Sequence, residues 1–125
     1  MAAPAAASGF ASGQPEERQL LVSFLLHCAD LGNPLRPPSL SARIADDLQR
    51  EFEAQAARER AQGLPVTVML ASTDEAKAKL ELGFLEFVVA PLFVTLASVV
   101  PRLGNKCVKL IDQNRAAWQA RIGAA

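Results

Sequence analysis

The residues best suited to chemistry are His27, Asp30 and Asn33, spaced three apart near the start of the chain. A carboxylate is a hard ligand for divalent cations, an imidazole can bind a metal or carry a proton, and a carboxamide both donates and accepts hydrogen bonds. The apolar run before Asp30 and the Gly32-Asn33-Pro34 sequence after it predict that a helix ends here. Because residues three apart share one helix face, His27 and Asp30 can address the same site.

Two interpretations of this segment stay open on these residues alone. Asp30 could bind a metal ion in a cleft, or it could close a helix-terminal turn while His27 lies half-buried with its hydrogen bonds satisfied. Short motifs of this kind also occur by chance. The rest of the chain must therefore decide between a site and a turn.

Composition narrows the function classes. Half of the 125 residues are apolar, which is enough for the core of one domain. Thirteen basic residues balance thirteen acidic ones, so the long-range attraction that nucleic acids or anionic membranes require is absent. The two distant cysteines, Cys28 and Cys107, are expected to be free thiols, which fits a cytoplasmic protein.

Two segments could be targeting signals or membrane spans. Residues 1–14 are rich in Ala, Gly, Ser and Pro and lack the basic start and apolar stretch of a secretory signal, so they predict a disordered leader before a domain at 15–125. Residues 83–100 are apolar, but Glu86 and Pro91 interrupt them and they fall short of the roughly 20 residues of a membrane span. They predict a buried core helix, with a membrane-associated helix as the alternative.

The hydrophobic spacing is helical throughout and predicts an all-α fold, a partial bundle of about four helices. The predicted elements are a helix at 15–31, a helix from its cap at Ser39 to Gly63, a loop at 64–73, a helix from Asp74 to Val100 that kinks at Pro91 and is closed by Pro101, and a last helix at 105–122. The predicted buried faces are Leu40, Ile44, Leu48 and Phe52; Leu80, Phe84, Phe87 and Val88; and Leu103, Cys107, Leu110, Ile111, Asn114 and Trp118. On this spacing Trp118 is a packing residue.

The order of several motifs resembles the C-terminal part of the catalytic domain of class I 3',5'-cyclic-nucleotide phosphodiesterases. That family has an H-x-A-D-x-x-N-P segment, a long helix with E-F and E-R, a loop ending in P-M, a Q-x-G-F helix and a P-L segment. The corresponding residues are His27 to Pro34, Glu51-Phe52 and Glu59-Arg60, Gly63 with Met69, Glu81 to Phe84, and Pro91-Leu92. The resemblance covers about residues 16–122 and implies an all-helical catalytic domain of which this chain is one part.

The resemblance implies hydrolysis of cyclic AMP or cyclic GMP to the 5'-nucleotide in signal transduction. The family uses two divalent metal ions, zinc and magnesium or manganese, and a histidine as the acid for the leaving oxygen. By this resemblance Asp30 is the one metal ligand that the chain supplies, and His27 and Asn33 line the same cleft. The family's H-N-x-x-H and H-D-x-x-H motifs are absent, and His27 is the only histidine. No complete set of catalytic residues is present, so we expect this chain alone to be inactive.

The resemblance also implies a pocket for the nucleotide base. Leu48 and Phe84 would hold the flat base between them, and Met69 would add a flexible wall. The family's glutamine is replaced by Glu81, which accepts hydrogen bonds but cannot donate them when it is ionised. Base recognition then needs a protonated Glu81 or is impaired, and the preference between cyclic AMP and cyclic GMP stays open. Core packing is the alternative explanation for the three apolar residues.

Two functions from different classes follow. The first is part of a metal-dependent phosphodiesterase whose remaining ligands come from a missing N-terminal half. The second is a catalytically inactive helical module that binds a protein partner through its exposed apolar surface.

Overall fold

The computed structural model describes residues 14–124, and all the regular structure in that range is helical. The elements are α1 (Pro15–Asp30), a 3-10 turn (Asn33–Leu35), α2 (Pro38–Ala61), α3 (Asp74–Phe84), a π-helical turn (Leu85–Val89), α4 (Ala90–Val99) and α5 (Pro101–Arg121). Because α3, the π turn and α4 are continuous, residues 14–124 form four helical rods, which confirms the predicted all-α fold. The predicted leader at 1–14 lies outside the described residues, apart from Gln14.

The helix ends follow the sequence signals closely. At α1, Pro15 occupies the first turn, where its missing N–H is not needed, and two glutamates follow it. At the end of α2, Gly63 has a φ of 69°, and the N–H of Leu64 donates to the carbonyl oxygen of Glu59 at 2.9 Å. That bond is typical of a helix stop with a left-handed glycine. The prediction that Ser39 caps the start of α2 is wrong, because the helix already begins at Pro38.

The irregularity predicted at Pro91 lies one turn earlier. Proline has no N–H, so it cannot continue the ordinary helical hydrogen bonds. The continuous helix formed by α3, the π turn and α4, called the rod, widens at the π turn before Pro91. There the N–H of Ala90 donates to the carbonyl oxygen of Leu85, five residues back. The helix therefore passes Pro91 without breaking.

The last helix starts earlier than predicted. Pro101 was expected to close the preceding helix, but it is the first residue of α5. Proline is favourable at that position because the first helical N–H groups have no internal partner. The chain turns back at Val100, and α4 then packs along α5 with the buried Gly104 directly against the backbone of Ala97.

The core lies mainly between the rod and α5. Its buried members are Cys28, Leu35, Ala42, Ala45, Ala78, Leu85, Val89, Phe93, Leu96, Ile111 and Trp118. Ile111, Asn114 and Trp118 are buried as predicted for α5, whereas Leu103 is 48% exposed. Both cysteines are free, as predicted.

The predicted buried face of α2 is wrong. Leu40 and Leu48 are exposed, and the buried side of the helix is made of Ser41, Ala42, Ala45, Gln49 and Ala56. The fourfold spacing of large apolar residues therefore marks a side of α2 that is exposed or half-buried, while small residues and Gln49 form the packed side.

The predicted buried face of the third helix is also wrong. Phe84, Phe87 and Val88 are exposed, with Phe87 82% exposed. The buried residues are Ala78, Leu85, Val89, Phe93 and Leu96. This rod is apolar on most sides, so its spacing alone could not indicate which side α5 would cover.

The rod Asp74–Val99 is also long and apolar enough to cross a membrane. Only 22% of its most apolar stretch is buried, so the expected core helix buries one face and leaves another open. A single helix of this kind is weak evidence for a span, since core helices of globular domains share its length and composition.

Candidate functional site

A cavity of about 810 Å³ opens between α1, α2, α3 and the loop that joins α2 to α3. Six of the seven predicted site residues line it: Asp30, Asn33, Leu48, Met69, Glu81 and Phe84. They come from the end of α1, the 3-10 turn, α2, the loop and α3. The volume is in the range of small-molecule and cofactor sites.

His27 does not line this cavity. It lies in the last turn of α1 and is exposed to solvent. Its three-residue spacing from Asp30 gives the two residues a common side of the helix, but only Asp30 is at the helix end that meets the cavity. The structure therefore separates His27 from the other six candidates.

Hydrogen bonds from two helices position the turn that contains Asn33. The hydroxyl of Ser41 on α2 donates to the carbonyl oxygen of Asn33 at 2.8 Å and is 3.2 Å from that of Arg36. The side-chain amide of Asn114 on α5 also donates to the Arg36 carbonyl oxygen, at 2.8 Å. The turn that follows Asp30 is thereby fixed to α2 and α5. The sequence analysis missed Ser41, although a serine among the small residues of α2 was a visible signal.

Gln49 positions Met69. Its side chain is buried, its amide nitrogen donates to the carbonyl oxygen of Met69 at 3.3 Å, and its amide oxygen accepts from the N–H of Ala71 at 3.1 Å. Both ends of the carboxamide are therefore used by the loop. The sequence analysis also missed this residue, because a glutamine on a long charged helix is usually exposed.

Glu59 fixes the other end of the loop. Its carboxylate accepts from the backbone N–H of Thr67 at 2.9 Å and from the Thr67 hydroxyl at 2.6 Å. The bonds from Thr67 and from the side-chain amide of Gln55 lower the pKa of Glu59. Glu59, which belongs to the E-R motif, does not line the cavity and stabilises the loop through its bonds to Thr67.

Most residues of the two faces that were predicted to be core line the cavity and form much of its apolar wall. Besides Leu48 and Phe84 it includes Ile44, Phe52, Leu80, Phe87 and Val88. Phe84 is 40% exposed and Leu48 39% exposed, so both side chains are available to a ligand. Trp118, predicted as a packing residue, is buried and still contributes to the lining.

Glu81 is the one acidic side chain on the α3 wall of the cavity. Burial raises its pKa, Asp46 adds to that effect, and Lys77 opposes it. Lys77 itself forms an ion pair with Asp46 that joins α2 to α3, and this contact lowers the pKa of Asp46. No donor among residues 14–124 makes a hydrogen bond to the Glu81 carboxyl group.

Within residues 14–124, no group of three or more His, Cys, Asp and Glu residues is placed to hold a metal ion. Asp30 is exposed at the end of α1 and is a single carboxylate. A catalytic metal generally needs about three protein ligands. The described residues therefore do not fit a metal centre by themselves.

An all-helical domain with an apolar cavity between its helices has the form of a small-molecule-binding domain. The family follows from comparison with known proteins. The family model "3'5'-cyclic nucleotide phosphodiesterase" matches residues 5–110, and the chain belongs to this family. The resemblance seen in the motifs is thereby confirmed.

Individual relatives agree with this assignment. The mouse 3',5'-cyclic-AMP phosphodiesterase 4C is 31% identical over 85% of this chain, and the human high affinity cGMP-specific 3',5'-cyclic phosphodiesterase 9A is 33% identical over 83% of it. The phosphodiesterase domain of the Salpingoeca rosetta rhodopsin phosphodiesterase has a TM-score of 0.81 and 36% identity over 86% of this chain.

The match covers only part of each relative. The chain spans 16% of the mouse protein, 18% of the human protein and 33% of the solved phosphodiesterase domain. It therefore corresponds to part of the catalytic domain.

Proposed function

We propose that this chain supplies the nucleotide-binding part of a cyclic-nucleotide phosphodiesterase site, which hydrolyses cyclic AMP or cyclic GMP to the 5'-nucleotide in signal transduction. The observation that carries the proposal is the convergence of six side chains from five segments on one cavity. Family membership supplies the substrate class, because the relatives are named for both nucleotides. The free cysteines support a cytoplasmic location.

In this proposal the chain's own residues bind and orient the nucleotide. Leu48 and Phe84 face the cavity from α2 and α3, so a flat base fits between an aliphatic and an aromatic side chain. Met69 adds a flexible apolar wall whose position is fixed by Gln49. Asn33, held by the turn after α1, offers a donor and an acceptor to the rest of the nucleotide.

Asp30 would be one ligand of the family's divalent ions, zinc and magnesium or manganese. Since the described residues offer one carboxylate there, the other ligands and the acid histidine must come from a further polypeptide segment. When bound, such ions supply activated water and neutralise phosphate charge. We therefore expect the chain alone to bind nucleotide weakly and to hydrolyse none.

The test combines the full chain with the histidine-bearing part of a related catalytic domain, expressed as a separate polypeptide. We expect metal-dependent hydrolysis of cyclic nucleotide by the mixture and none by either component. Asp30→Asn should reduce the rate at least about 100-fold, because it removes a ligand. Asp47→Asn is the matched control, since Asp47 lies on α2 in an exposed ion pair with Arg50, outside the cavity. Full activity of the Asp30 variant would overturn the ligand assignment.

A second candidate function is partner binding without catalysis. The observation that favours it is the exposed apolar surface of α1, where Leu20, Val22 and Leu26 are 65%, 59% and 70% exposed. The occupant we propose is a segment equivalent to the part of the solved phosphodiesterase domain that this chain does not cover. Size-exclusion chromatography with light scattering should then detect a stable complex with that segment, formed equally well by the Asp30 variant, while no hydrolysis appears.

A further inference from the structure

The hairpin formed by α4 and α5 has a local excess of positive charge. Between Glu86 and Asp112 the sequence contains Arg102, Lys106 and Lys109 but neither aspartate nor glutamate. On α2, by contrast, arginines and acidic residues are interspersed. A zero net charge removes long-range attraction only where both signs share a surface, so the balance over the whole chain does not extend to this hairpin.

The three cations lie in a row along α5, which we call the basic row. Arg102, Lys106 and Lys109 are four and three residues apart, a spacing that places them on one side of the helix. All three are exposed, and within residues 14–124 none of them forms an ion pair. The first acid that follows them, Asp112, is paired with Arg115. The positive charge of the basic row is therefore available to an anionic partner.

Exposed apolar groups border the basic row. Leu103 is 48% exposed, and it follows Arg102 by one residue and precedes Lys106 by three, so its side chain flanks the row. Pro101, at the corner where α4 meets α5, is exposed, and Val94 of α4 is 59% exposed. The hairpin therefore combines unpaired cations with accessible apolar area.

Anionic lipid fits this combination better than other polyanions do. Single-stranded nucleic acid needs exposed aromatic side chains on which its bases stack, and the aromatic residues of α4 and α5, Phe93 and Trp118, are buried. An acidic protein would pair with the cations but has no need of the apolar groups beside them. A lipid surface uses both, because its headgroups attract cations while apolar side chains enter the boundary of the acyl chains.

We propose that the basic row and Leu103 dock the chain on an anionic lipid surface. Neither the three cations nor Leu103 lines the cavity, so lipid docking and nucleotide binding use separate parts of the molecule. The docking is peripheral, with α5 lying along the surface, and it requires no helix to cross the membrane.

Co-sedimentation of the full chain with lipid vesicles tests the inference. Vesicles of phosphatidylcholine alone measure adsorption through apolar groups, and vesicles that also contain phosphatidylserine add negative charge. Each cation near an anionic surface strengthens binding about fivefold, so we expect the anionic vesicles to bind the chain at least about tenfold more strongly. This preference should decrease as the salt concentration rises from about 20 mM to about 300 mM, because salt screens the attraction.

Two triple variants test which cations are responsible. Arg102→Gln combined with Lys106→Gln and Lys109→Gln should abolish the preference for anionic vesicles. The matched control is Arg43→Gln combined with Arg50→Gln and Arg58→Gln, which removes the same charge from exposed positions of α2 and should keep the preference. Because all six side chains are exposed, circular dichroism should show the helix content of the wild type in both variants.

Leu103→Ser distinguishes lipid from a soluble polyanion. This variant keeps the charge of the basic row, and it should weaken binding to anionic vesicles at least about threefold because an apolar contact is lost. Binding to soluble polyglutamate that is as strong as vesicle binding, with no effect of Leu103→Ser on either, would assign the surface to an acidic protein and overturn the lipid proposal. Equal binding to both kinds of vesicle would overturn it as well, as would an equal loss in the two triple variants or a preference that survives removal of the basic row. None of these results bears on the proposed nucleotide site, which is measured by its own ligand.

Discussion

Gly104→Ala tests the packing of α4 on α5, the interface that carries the core. A methyl group added at Gly104 would lie 2.2 Å from the Cα and 2.3 Å from the nitrogen of Ala97. Carbon atoms in contact are normally about 3.5–4.0 Å apart, so the two helices would have to separate locally by about 1.5 Å. Overpacking of this kind costs about 1–3 kcal/mol, and the better helix propensity of alanine returns about 1 kcal/mol of it. Because the overlap is with backbone atoms, the cost should fall at about 2–3 kcal/mol, the upper part of that range, which leaves a net loss of about 1–2 kcal/mol.

Gly83→Ala is the matched control for this experiment. An added methyl group at Gly83 in α3 would have no neighbour within 4 Å, so only the gain in helix propensity applies. Thermal unfolding followed by circular dichroism should therefore show opposite shifts for the same chemical change. At roughly 4 °C per kcal/mol, Gly104→Ala should melt about 4–8 °C below the wild type and Gly83→Ala slightly above it. A Gly104 variant as stable as the wild type would refute the close helix contact.

Two further predictions concern the cavity wall. The pKa of Glu81 is raised in the folded state, so the folded protein holds this proton more tightly than the unfolded chain does. The protonated carboxyl group therefore contributes stability below the ordinary glutamate pKa. This contribution is lost as the pH rises through the folded-state pKa. The melting temperature of Glu81→Gln relative to the wild type should therefore increase with pH in thermal melts, and a constant difference would contradict the burial of this acid. Gln49→Ala should cost about 1–3 kcal/mol because it leaves the Met69 carbonyl and the Ala71 N–H without their partner. Hydrogen exchange should quicken at residues 64–73, whereas the exposed Gln113→Ala in α5 should leave it unchanged.

The elements of the fold could be predicted because their signals are local. Three residues act locally, through their own backbone or that of a neighbouring turn: Pro15 at the start of α1, Gly63 after α2 and Thr73 before α3. Thr73, for example, accepts a hydrogen bond from the N–H of Ala76 at 3.0 Å. The start of α5 was misplaced because Pro101 is compatible with both the end of one helix and the first turn of the next.

Only some residues of the site could be predicted from the sequence. Motif order indicated Asp30, Leu48 and Phe84, but the residues that hold the site in place act over long sequence distances. Gln49 contacts a loop 20 and 22 residues away, and Asn114 contacts a carbonyl 78 residues away. Such contacts have no local sequence pattern, so only the folded structure indicates them.

The wrong buried faces and the cavity have one physical cause. Large apolar residues at helical spacing indicate a surface that avoids water, but they do not indicate what covers it. The packed side of α2 consists mainly of small residues, whereas that of the rod combines Ala78 with aliphatic residues and Phe93. Other large side chains, including Leu48, Phe84 and Phe87, face the cavity. The apolar residues whose spacing predicted a core therefore form a wall of the cavity.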